Sequence, residues 1–377
     1  DTTPEFRKDT DEKFVIIGGG SAALYAARAI RERNATAKIT MVSEEEVIPY
    51  NRPMLTKELL ADISEGTFAI TDKNWFEENK VDLVLGTRVE SIDVKAKTVK
   101  CKGQDLSYDK LIYALGAHCF MAPIKGKDQD HVLSIRSVAD VKYLQGLIGE
   151  ELKKVVIIGG GVMGLESAWE LKKAGHEVTV LEGAPRLLPK QLDTKASELL
   201  AEILTKEEIN FVVGAKIAEI KKKSVALEDG TEYDADIVIM STGMRGNIEI
   251  AKEAGLEIDK LIKVDETMLT SAPDVYAAGD CAEFEGVPAA FWSQSIEMGR
   301  IAGDEEAYSL IPSSMNIAAM NTEIFSMGDV GGDENKEYRT IELADANRGE
   351  YEKYYFEHNR LVGVILIGDI SKQLDLM

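Results

Sequence analysis

A four-residue apolar run from Phe14 to Ile17 stops at three glycines, and an alanine-rich helical pattern follows at once. Gly18, Gly20 and Ala23 have the G-x-G-x-x-G/A spacing of a dinucleotide-binding turn. In such a turn the first glycine permits the tight bend, the second lets a pyrophosphate approach the backbone, and the third small residue keeps the helix close to its strand. The helix then directs free N–H groups and its positive dipole end toward the phosphates. The stretch therefore predicts a βαβ unit that binds a dinucleotide.

The same pattern returns 141 positions later, after the apolar run from Val155 to Ile158. Its candidate binding residues are Gly159, Gly161, Val162, Met163 and Gly164. Two turns of this quality predict two dinucleotide-binding units in one chain. Two nucleotides close together are typical of a redox relay.

An acidic residue follows the second predicted strand of each unit. Glu44 lies 24 positions after Gly20, and Glu182 lies 21 positions after Gly161. A carboxylate at this place accepts hydrogen bonds from a ribose and repels a 2′-phosphate. Glu182 therefore predicts a preference for NADH over NADPH, although Arg186 lies close enough along the chain to bind a phosphate.

Composition narrows the function classes further. The chain has 377 residues, of which 45% are apolar and 29% charged, and this predicts two or three globular domains. A net charge of −22 argues against nucleic-acid binding. Since no apolar run approaches the roughly 20 residues of a membrane span, we predict no membrane association. The polar first residues lack the apolar core of a signal peptide, and we therefore expect a cytoplasmic protein.

The three cysteines lie far apart in the sequence. Cys101, Cys119 and Cys281 form no C-x-x-C or C-x-x-x-x-C pair. This spacing argues against a disulfide scaffold, a zinc site and a sequence-local redox dithiol. We predict ordinary thiols and no bound metal.

The segment from Pro49 to Lys57 reads P-Y-N-R-P-M-L-T-K. After a first fingerprint, P-Y-x-R-P-x-L-[ST]-K resembles the FAD-dependent pyridine nucleotide oxidoreductases of the rubredoxin and ferredoxin reductase type. The flavin-containing N-terminal part of NADH-dependent nitrite reductase is similar. The resemblance implies that Arg52 lies along FAD and that Lys57 sits beside the reactive edge of the flavin.

Two further segments carry this resemblance. Tyr108–Ala117 is similar to Y-D-x-L-[IV]-x-A-T-G, with Leu115 in place of the usual threonine, and Thr270–Glu283 matches T-S-x-x-x-[IV]-Y-A-x-G-D. In the resembling family Asp280 would bind the ribityl chain, and the start of a helix at Phe291 would face the flavin pyrimidine ring. The remaining FAD contacts implied by the resemblance are Val89, Ala114, Gly116, Gly279, Trp292, Ser293 and Gln294.

The resemblance also implies contacts with NADH. Gly243 would lie at this cofactor, where the chain returns to the first unit. Glu166 would point toward the nicotinamide and pair with Lys57 across two domains. Such a pair would hold a cation near flavin N5, where negative charge develops as hydride arrives. Lys57 and Glu166 are therefore the candidate catalytic residues.

The fold predicted is α/β, with two Rossmann-like dinucleotide-binding domains, inserted antiparallel meanders and a small α+β C-terminal domain. One meander is expected over the runs from Val81 to Ala114 and another over residues 216–240. The predicted boundaries are a tail at 1–13, a discontinuous FAD domain at 14–114 and 243–308, an NADH domain at 115–242, and a C-terminal cap or interface domain at 309–377.

These features predict an NADH-dependent flavoprotein. Hydride would pass from NADH to flavin N5, and single electrons would then pass to a small redox protein such as rubredoxin or to an attached redox module. Three alternatives stay open: an NADH- and FAD-binding redox sensor of the apoptosis-inducing-factor kind, an NADH oxidase, and the flavin part of a nitrite reductase. The chain could act as a monomer or a homodimer.

Overall fold

The computed structural model describes residues 8–289, 292–304, 306–310 and 312–376. The strands are β1 (Lys13–Ile17), β2 (Lys38–Val42), β3 (Val81–Val84), β4 (Val89–Asp93), β5 (Thr98–Cys101), β6 (Gln104–Ser107), β7 (Lys110–Tyr113), β8 (Ala117–Cys119), β9 (Val132–Leu133), β10 (Lys154–Ile158), β11 (Glu177–Leu181), β12 (Asn210–Val212), β13 (Ile217–Ile220), β14 (Ser224–Leu227), β15 (Glu232–Asp234), β16 (Ile237–Met240), β17 (Met244–Gly246), β18 (Ile262–Val264), β19 (Val275–Ala277), β20 (Ala282–Phe284), β21 (Val287–Pro288), β22 (Ser314–Ala319), β23 (Thr322–Gly328), β24 (Arg339–Asp345), β25 (Glu350–Glu357) and β26 (Arg360–Ile367). The helices are α1 (Ser21–Arg33), α2 (Met54–Lys57), α3 (Asn74–Glu78), α4 (Val138–Ile148), α5 (Val162–Lys173), α6 (Thr194–Lys206), α7 (Glu249–Glu253), α8 (Trp292–Asp304) and α9 (Gln373–Leu376). Phe291, with which the last long helix was predicted to begin, lies outside the described residues, as do residues 1–7 of the predicted tail.

The chain divides into two compact units. The first comprises the described residues of Asp1–Arg52, Ile63–His118 and Met244–Ile311. The second comprises those of Pro53–Asp62, Cys119–Gly243 and Pro312–Met377. The segment 53–62 and the C-terminal segment thus both belong to the unit that carries the second fingerprint. Within the described ranges, every helix is too short or too polar to cross a bilayer.

A five-stranded parallel sheet forms the centre of the first unit, in the order β19-β7-β1-β2-β3. Its strands are apolar and buried because helices and loops cover both faces of a parallel sheet. The expected antiparallel meander is smaller than predicted, since β4, β5 and β6 form it alone. The runs beginning at Val81 and Leu111 instead join the parallel sheet as β3 and β7. Short apolar runs do not reveal their pairing partner by periodicity, which is why the prediction failed there.

Helices α1 and α8 of the first unit pack with their backbones in close approach. A Cβ atom on Gly299 would overlap the carbonyl of Ala22, and one on Gly303 would overlap the carbonyl of Ala26. Glycine at these two places of α8 is therefore required by the packing. The contact fixes α8 beside the fingerprint helix.

The second unit repeats the parallel sheet in the order β12-β11-β10-β16-β9. Its antiparallel sheet contains β13, β14 and β15, whereas β16 pairs in parallel with β10. The meander predicted over 216–240 is therefore correct only up to Asp234. The short helix α2 packs against α5 in the same unit.

The C-terminal segment forms an antiparallel sheet in the order β22-β23-β26-β25-β24, followed by α9. Asp193, which caps α6, receives hydrogen bonds from the hydroxyls of Tyr351 at 3.1 Å and Tyr355 at 2.5 Å. It also pairs with Lys353 at 3.1 Å. Burial opposes ionisation of Asp193, but hydrogen bonds from the Tyr355 hydroxyl, the backbone N–H of Ala196 and Lys353 lower the pKa of its carboxyl below the usual value. These bonds fasten the C-terminal sheet to α6 within the second unit.

Candidate functional site

The first fingerprint forms the predicted turn between β1 and α1. Gly18 has φ +127°, and a Cβ atom there would overlap the carbonyl of Ala114, so only glycine fits. A Cβ atom on Gly20 would meet nothing within 4 Å, which leaves open space at the start of the helix. Ala23 is fully buried. The turn thus has the closed first position, the open second position and the tight third position of a dinucleotide site.

The second fingerprint has the same construction between β10 and α5. Gly159 has φ +109° and a Cβ atom there would overlap the carbonyl of Ser241, whereas Gly161 is again open to 4 Å. A Cβ atom on Gly164 would overlap the carbonyl of Gly159, so this glycine brings the helix onto its strand. Val162 and Met163 form the first turn of α5, where N–H groups have no acceptor within the helix.

Glu182 is held at the carboxyl end of β11. Its two carboxylate oxygens accept hydrogen bonds from the backbone N–H of Gly160 at 3.0 Å and of Ala184 at 2.9 Å. Arg186 points elsewhere, because its guanidinium donates to the carbonyls of Leu192 and Pro189 and to the hydroxyl of Ser197. The negative charge is therefore fixed beside the fingerprint while the nearby positive charge is engaged. This arrangement favours NADH over NADPH.

Replacement of Glu182 by arginine is expected to shift the kcat/KM preference toward NADPH by roughly 10- to 100-fold, because a like-charge clash with the 2′-phosphate becomes an attraction. The measurement is the ratio of kcat/KM for NADPH and NADH. Glu182→Gln is the matched control, since it removes the charge and keeps one acceptor for Gly160. An unchanged ratio in Glu182→Arg would exclude Glu182 as the residue that reads the 2′ position.

The corresponding place in the first unit is held by Ser43. Ile17 of β1 lies opposite Val42 of β2, as Ile158 of β10 lies opposite Leu181 of β11, so Ser43 and Glu182 are direct counterparts. Ser43 is buried, and the exposed Glu44 is one residue further along the chain. Sequence spacing alone does not show that Ser43, and not Glu44, is the counterpart of Glu182. Glu44 stays a prediction for the adenosine ribose.

A charged cluster in the first unit contains Arg52 and Asp280. The Arg52 guanidinium donates to Glu45 at 2.9 Å and lies 4.7 Å from the centre of the Tyr50 ring. Burial lowers the pKa of Arg52, but Glu45, Tyr50 and then Asp280 outweigh it and raise the pKa above its usual value. Asp280 also accepts a hydrogen bond from the Ser295 hydroxyl of α8 at 3.1 Å. Residues far apart in sequence thus lie in one charged cluster of the first unit, and their contacts with FAD stay predictions.

Two buried polar atoms beside this cluster in sequence have no hydrogen-bond partner among the described residues. They are Oδ1 of Asn51, next to Arg52, and Nε1 of Trp292, one helical turn before Ser295. Buried polar atoms in proteins are nearly always paired, so each of these two atoms is free to bond a water molecule or a bound ligand. With the open backbone at Gly20, they fit a bound FAD. Asn51 is a candidate that the sequence analysis missed.

The other predicted FAD residues lie near strand ends of the first unit. Val89 begins β4 and is buried, Ala114 directly follows β7, Gly116 has φ +68° and Gly279 has φ +88°. In α8, Ser293 is exposed, whereas Gln294 is buried.

Asn247 is a second residue that the sequence analysis passed over. Its side chain donates to the carbonyl of Leu115 at 2.8 Å and is joined to Nδ1 of His118 at 2.6 Å. The Tyr113 hydroxyl donates to its backbone carbonyl at 2.6 Å. Leu115 therefore contributes its backbone where the family has threonine. Gly243, with φ +104° and open space around it, is the last residue of the second unit before this crossover.

Lys57 and Glu166 both lie in the second unit, on α2 and α5. The segment 53–62 groups with α5 in one compact unit, so the expected approach of Lys57 to Glu166 lies within that unit. Burial raises the pKa of Glu166 to about 7, while the charge of Lys57 and a hydrogen bond from Thr56 lower it in part. Glu166 is 5% exposed and its Oε2 has no described partner. Lys57 is exposed.

The three cysteines are all unpaired, with Cys101 and Cys281 buried and Cys119 half-buried. Burial raises the pKa of each thiol, that of Cys281 to about 12. Because the thiolate is the nucleophile, these cysteines are poorly suited to thiol chemistry at neutral pH. Within the described ranges, no group of histidine, cysteine or acidic side chains could hold a metal ion.

Comparison with known proteins gives matches over most of the chain. Residues 12–305 match the pyridine nucleotide-disulphide oxidoreductase family, and residues 314–377 match the rubredoxin NAD+ reductase C-terminal domain. The chain is 32% identical to a nitrite reductase [NAD(P)H] of Bacillus subtilis, over 96% of this chain and 46% of that protein. It is 35% identical to a rubredoxin-NAD(+) reductase of Pseudomonas putida, over 71% of each chain. Of the nitrite reductase it thus spans about half the length.

A solved structure extends the agreement to the whole described fold. The NAD-dependent persulfide reductase from A. fulgidus superposes with a TM-score of 0.89 at 28% identity, covering 97% of this chain and 75% of that one. These matches confirm the predicted α/β fold with two dinucleotide-binding units and the predicted resemblance. The matched family and its rubredoxin reductases use FAD and NADH, which confirms the two cofactors. The chain belongs to the pyridine nucleotide-disulphide oxidoreductase family.

Proposed function

We propose that this protein is an FAD-dependent NADH oxidoreductase that delivers single electrons to a small redox protein such as rubredoxin. The observation that carries the proposal is the match of residues 314–377 to the C-terminal domain of rubredoxin NAD+ reductase. This domain follows the matched family region in the same chain, and the relative from Pseudomonas putida is named for the same acceptor.

Each unit has residues suited to one nucleotide. In the first, the turn at Gly18–Ala23, Arg52, Asp280 and the start of α8 would hold FAD. In the second, the turn at Gly159–Gly164 and Glu182 would hold NADH. When bound, the flavin supplies two-electron acceptance from NADH and one-electron delivery to a metalloprotein. The protein itself supplies orientation, through rigid strand–helix turns, and a fixed charge pattern.

The state of the thiols supports a one-electron acceptor over a disulfide or a peroxide. A dithiol reductase needs two neighbouring cysteines, and a thiol peroxidase needs a low-pKa cysteine. Here the cysteines are unpaired and burial raises the pKa of all three. Unpaired thiols are also what a reducing cytoplasm maintains, and we propose that location.

The test is steady-state NADH oxidation by the FAD-loaded protein with oxidised rubredoxin, followed at the rubredoxin absorbance band under anaerobic conditions. We expect rubredoxin reduction in a two-to-one ratio to NADH, because one hydride carries two electrons. The control is the same protein with oxygen as the only acceptor, for which we expect a much lower rate. Equal rates with and without rubredoxin would overturn the proposal in favour of an NADH oxidase.

A further inference from the structure

The strand β24 forms an open edge of the C-terminal sheet. The opposite edge strand, β22, packs against α5. By contrast, β25 is the one strand of the described residues that pairs with β24, and six of the seven residues of β24 are exposed. Ile341 and Leu343 are both 54% exposed on one face of the strand. Proteins usually protect such an edge with charged side chains, a proline or a bulge, and β24 has only the charges of Arg339, Glu342 and Asp345.

The sequence of β24, Arg-Thr-Ile-Glu-Leu-Ala-Asp, is complementary to itself when reversed. If two copies lie antiparallel with Glu342 at the centre, Arg339 of each copy faces Asp345 of the other. Ile341 then faces Leu343 on both sides of the centre. Opposite charges and apolar pairs directly across an antiparallel ladder stabilise it. A ladder centred on Leu343 would set Ile341 against Asp345, and one centred on Ile341 would set Leu343 against Arg339. The pattern therefore favours the register centred on Glu342.

The two Glu342 carboxylates would face each other at the centre of this ladder, and each is already paired with lysines of its own chain. In each chain the Glu342 carboxylate is paired with Lys195, and Lys353 approaches it at 3.8 Å. Glu342 lies on the face opposite to Ile341 and Leu343, because side chains alternate along a strand. The apolar pairs and the buffered carboxylates therefore occupy different faces of the proposed ladder.

We propose that two copies of this chain associate through β24, in an antiparallel ladder centred on Glu342. The two C-terminal sheets become one continuous ten-stranded sheet, and Ile341 and Leu343 of both copies form a row of four apolar side chains. The partner that fits this edge is a second copy, since the order of charges matches itself.

Sedimentation velocity of the FAD-loaded protein at about 1 to 100 μM tests the association. The buffer contains about 0.15 M salt, because the net charge of −22 makes copies repel at low ionic strength. We expect a concentration-dependent dimer whose dissociation constant rises at least about 10-fold in Leu343→Lys. Leu374→Lys is the matched control, since Leu374 is an exposed leucine of the same sheet domain and lies outside the ladder.

Single cysteines test the register. In the proposed ladder two Glu342→Cys residues oppose each other with Cβ atoms about 5 Å apart, within reach of a disulfide under mild oxidation. Two Thr340→Cys residues are about 13 Å apart along the strands and stay unlinked. Unmodified protein reports any background from its own cysteines. Rapid cross-linking of the 342 variant alone supports the proposal.

Two outcomes would overturn it. If the protein is a monomer at every concentration, β24 does not bind a second copy. A dimer that survives Leu343→Lys unchanged, or that fails to cross-link through position 342, uses another surface.

Discussion

Replacement of Gly20 by valine is expected to give a folded protein that purifies without flavin. The glycine has extended backbone angles that valine tolerates, and a Cβ atom there meets nothing within 4 Å. The fold is therefore unaffected, whereas the branched side chain fills the space through which a pyrophosphate approaches the backbone. We expect FAD affinity to fall at least about 100-fold, or about 2.7 kcal/mol. The measurement is flavin absorbance per protein, with circular dichroism to verify folding.

Gly161→Val is the reciprocal control, because this residue is equally open in the second unit. It is expected to keep the flavin and lose its reduction by NADH. Gly18→Val should behave differently from both, since its side chain would overlap the Ala114 carbonyl and disturb folding itself. Stoichiometric FAD in purified Gly20→Val would refute the assignment of FAD to the first unit.

Lys57→Met is expected to slow the reduction of bound flavin by NADH by roughly 10- to 100-fold without releasing FAD. The lysine supplies positive charge, which favours the electron-rich product of hydride transfer. Lys57→Arg keeps the charge and should retain most of the rate. Stopped-flow absorbance under anaerobic conditions gives the rate constant. A rate equal to that of the unmodified protein would remove Lys57 from the mechanism.

Glu166 is expected to make this rate depend on pH near neutrality. Burial raises the pKa of its carboxyl to about 7, so it ionises over about pH 6 to 8 and then attracts Lys57 into a fixed position. We expect the reduction rate to rise through this interval and to be flat in Glu166→Gln. Glu170→Gln, on the same helix, removes a charge that raises the Glu166 pKa slightly, so it should keep the rise and move it to lower pH. A pH profile that Glu166→Gln leaves unchanged would contradict this role.

The raised pKa of Glu166 also makes the stability of the folded protein depend on pH. The folded-state pKa of Glu166 is raised from 4.5 to about 7, so the folded protein binds more protons between these values and loses stability as the pH rises through them. The Glu166→Gln variant should therefore have a higher Tm than the unmodified protein at pH 8 and a similar Tm near pH 4.5.

The two fingerprints were predictable from sequence because their chemistry is local. Gly18 and Gly159 need a positive φ and a missing Cβ, and both requirements appear in the chain as glycine at a strand end. Glu182 was predictable for the same reason, because the end of a strand fixes where its side chain lies. These positions required no knowledge of distant contacts.

Features that depend on tertiary packing escaped the sequence analysis. The sequence of segment 53–62 does not show that α2 groups in one compact unit with α5, although the resemblance implied that Lys57 lies near Glu166. Asn51 is identified as a candidate only because its buried Oδ1 has no hydrogen-bond partner in the part of the chain that the structure describes. The one-residue offset between Ser43 and Glu44 depends on the register of β1 and β2, which spacing does not give.

An anaerobic titration of the FAD-loaded protein with NADH, followed by visible absorbance, tests the central claim most directly. We predict that one equivalent of NADH bleaches the flavin band promptly and that added oxidised rubredoxin restores it. A long-wavelength charge-transfer band with slow bleaching, and no recovery on adding rubredoxin, would contradict electron delivery and identify a redox-sensing protein instead.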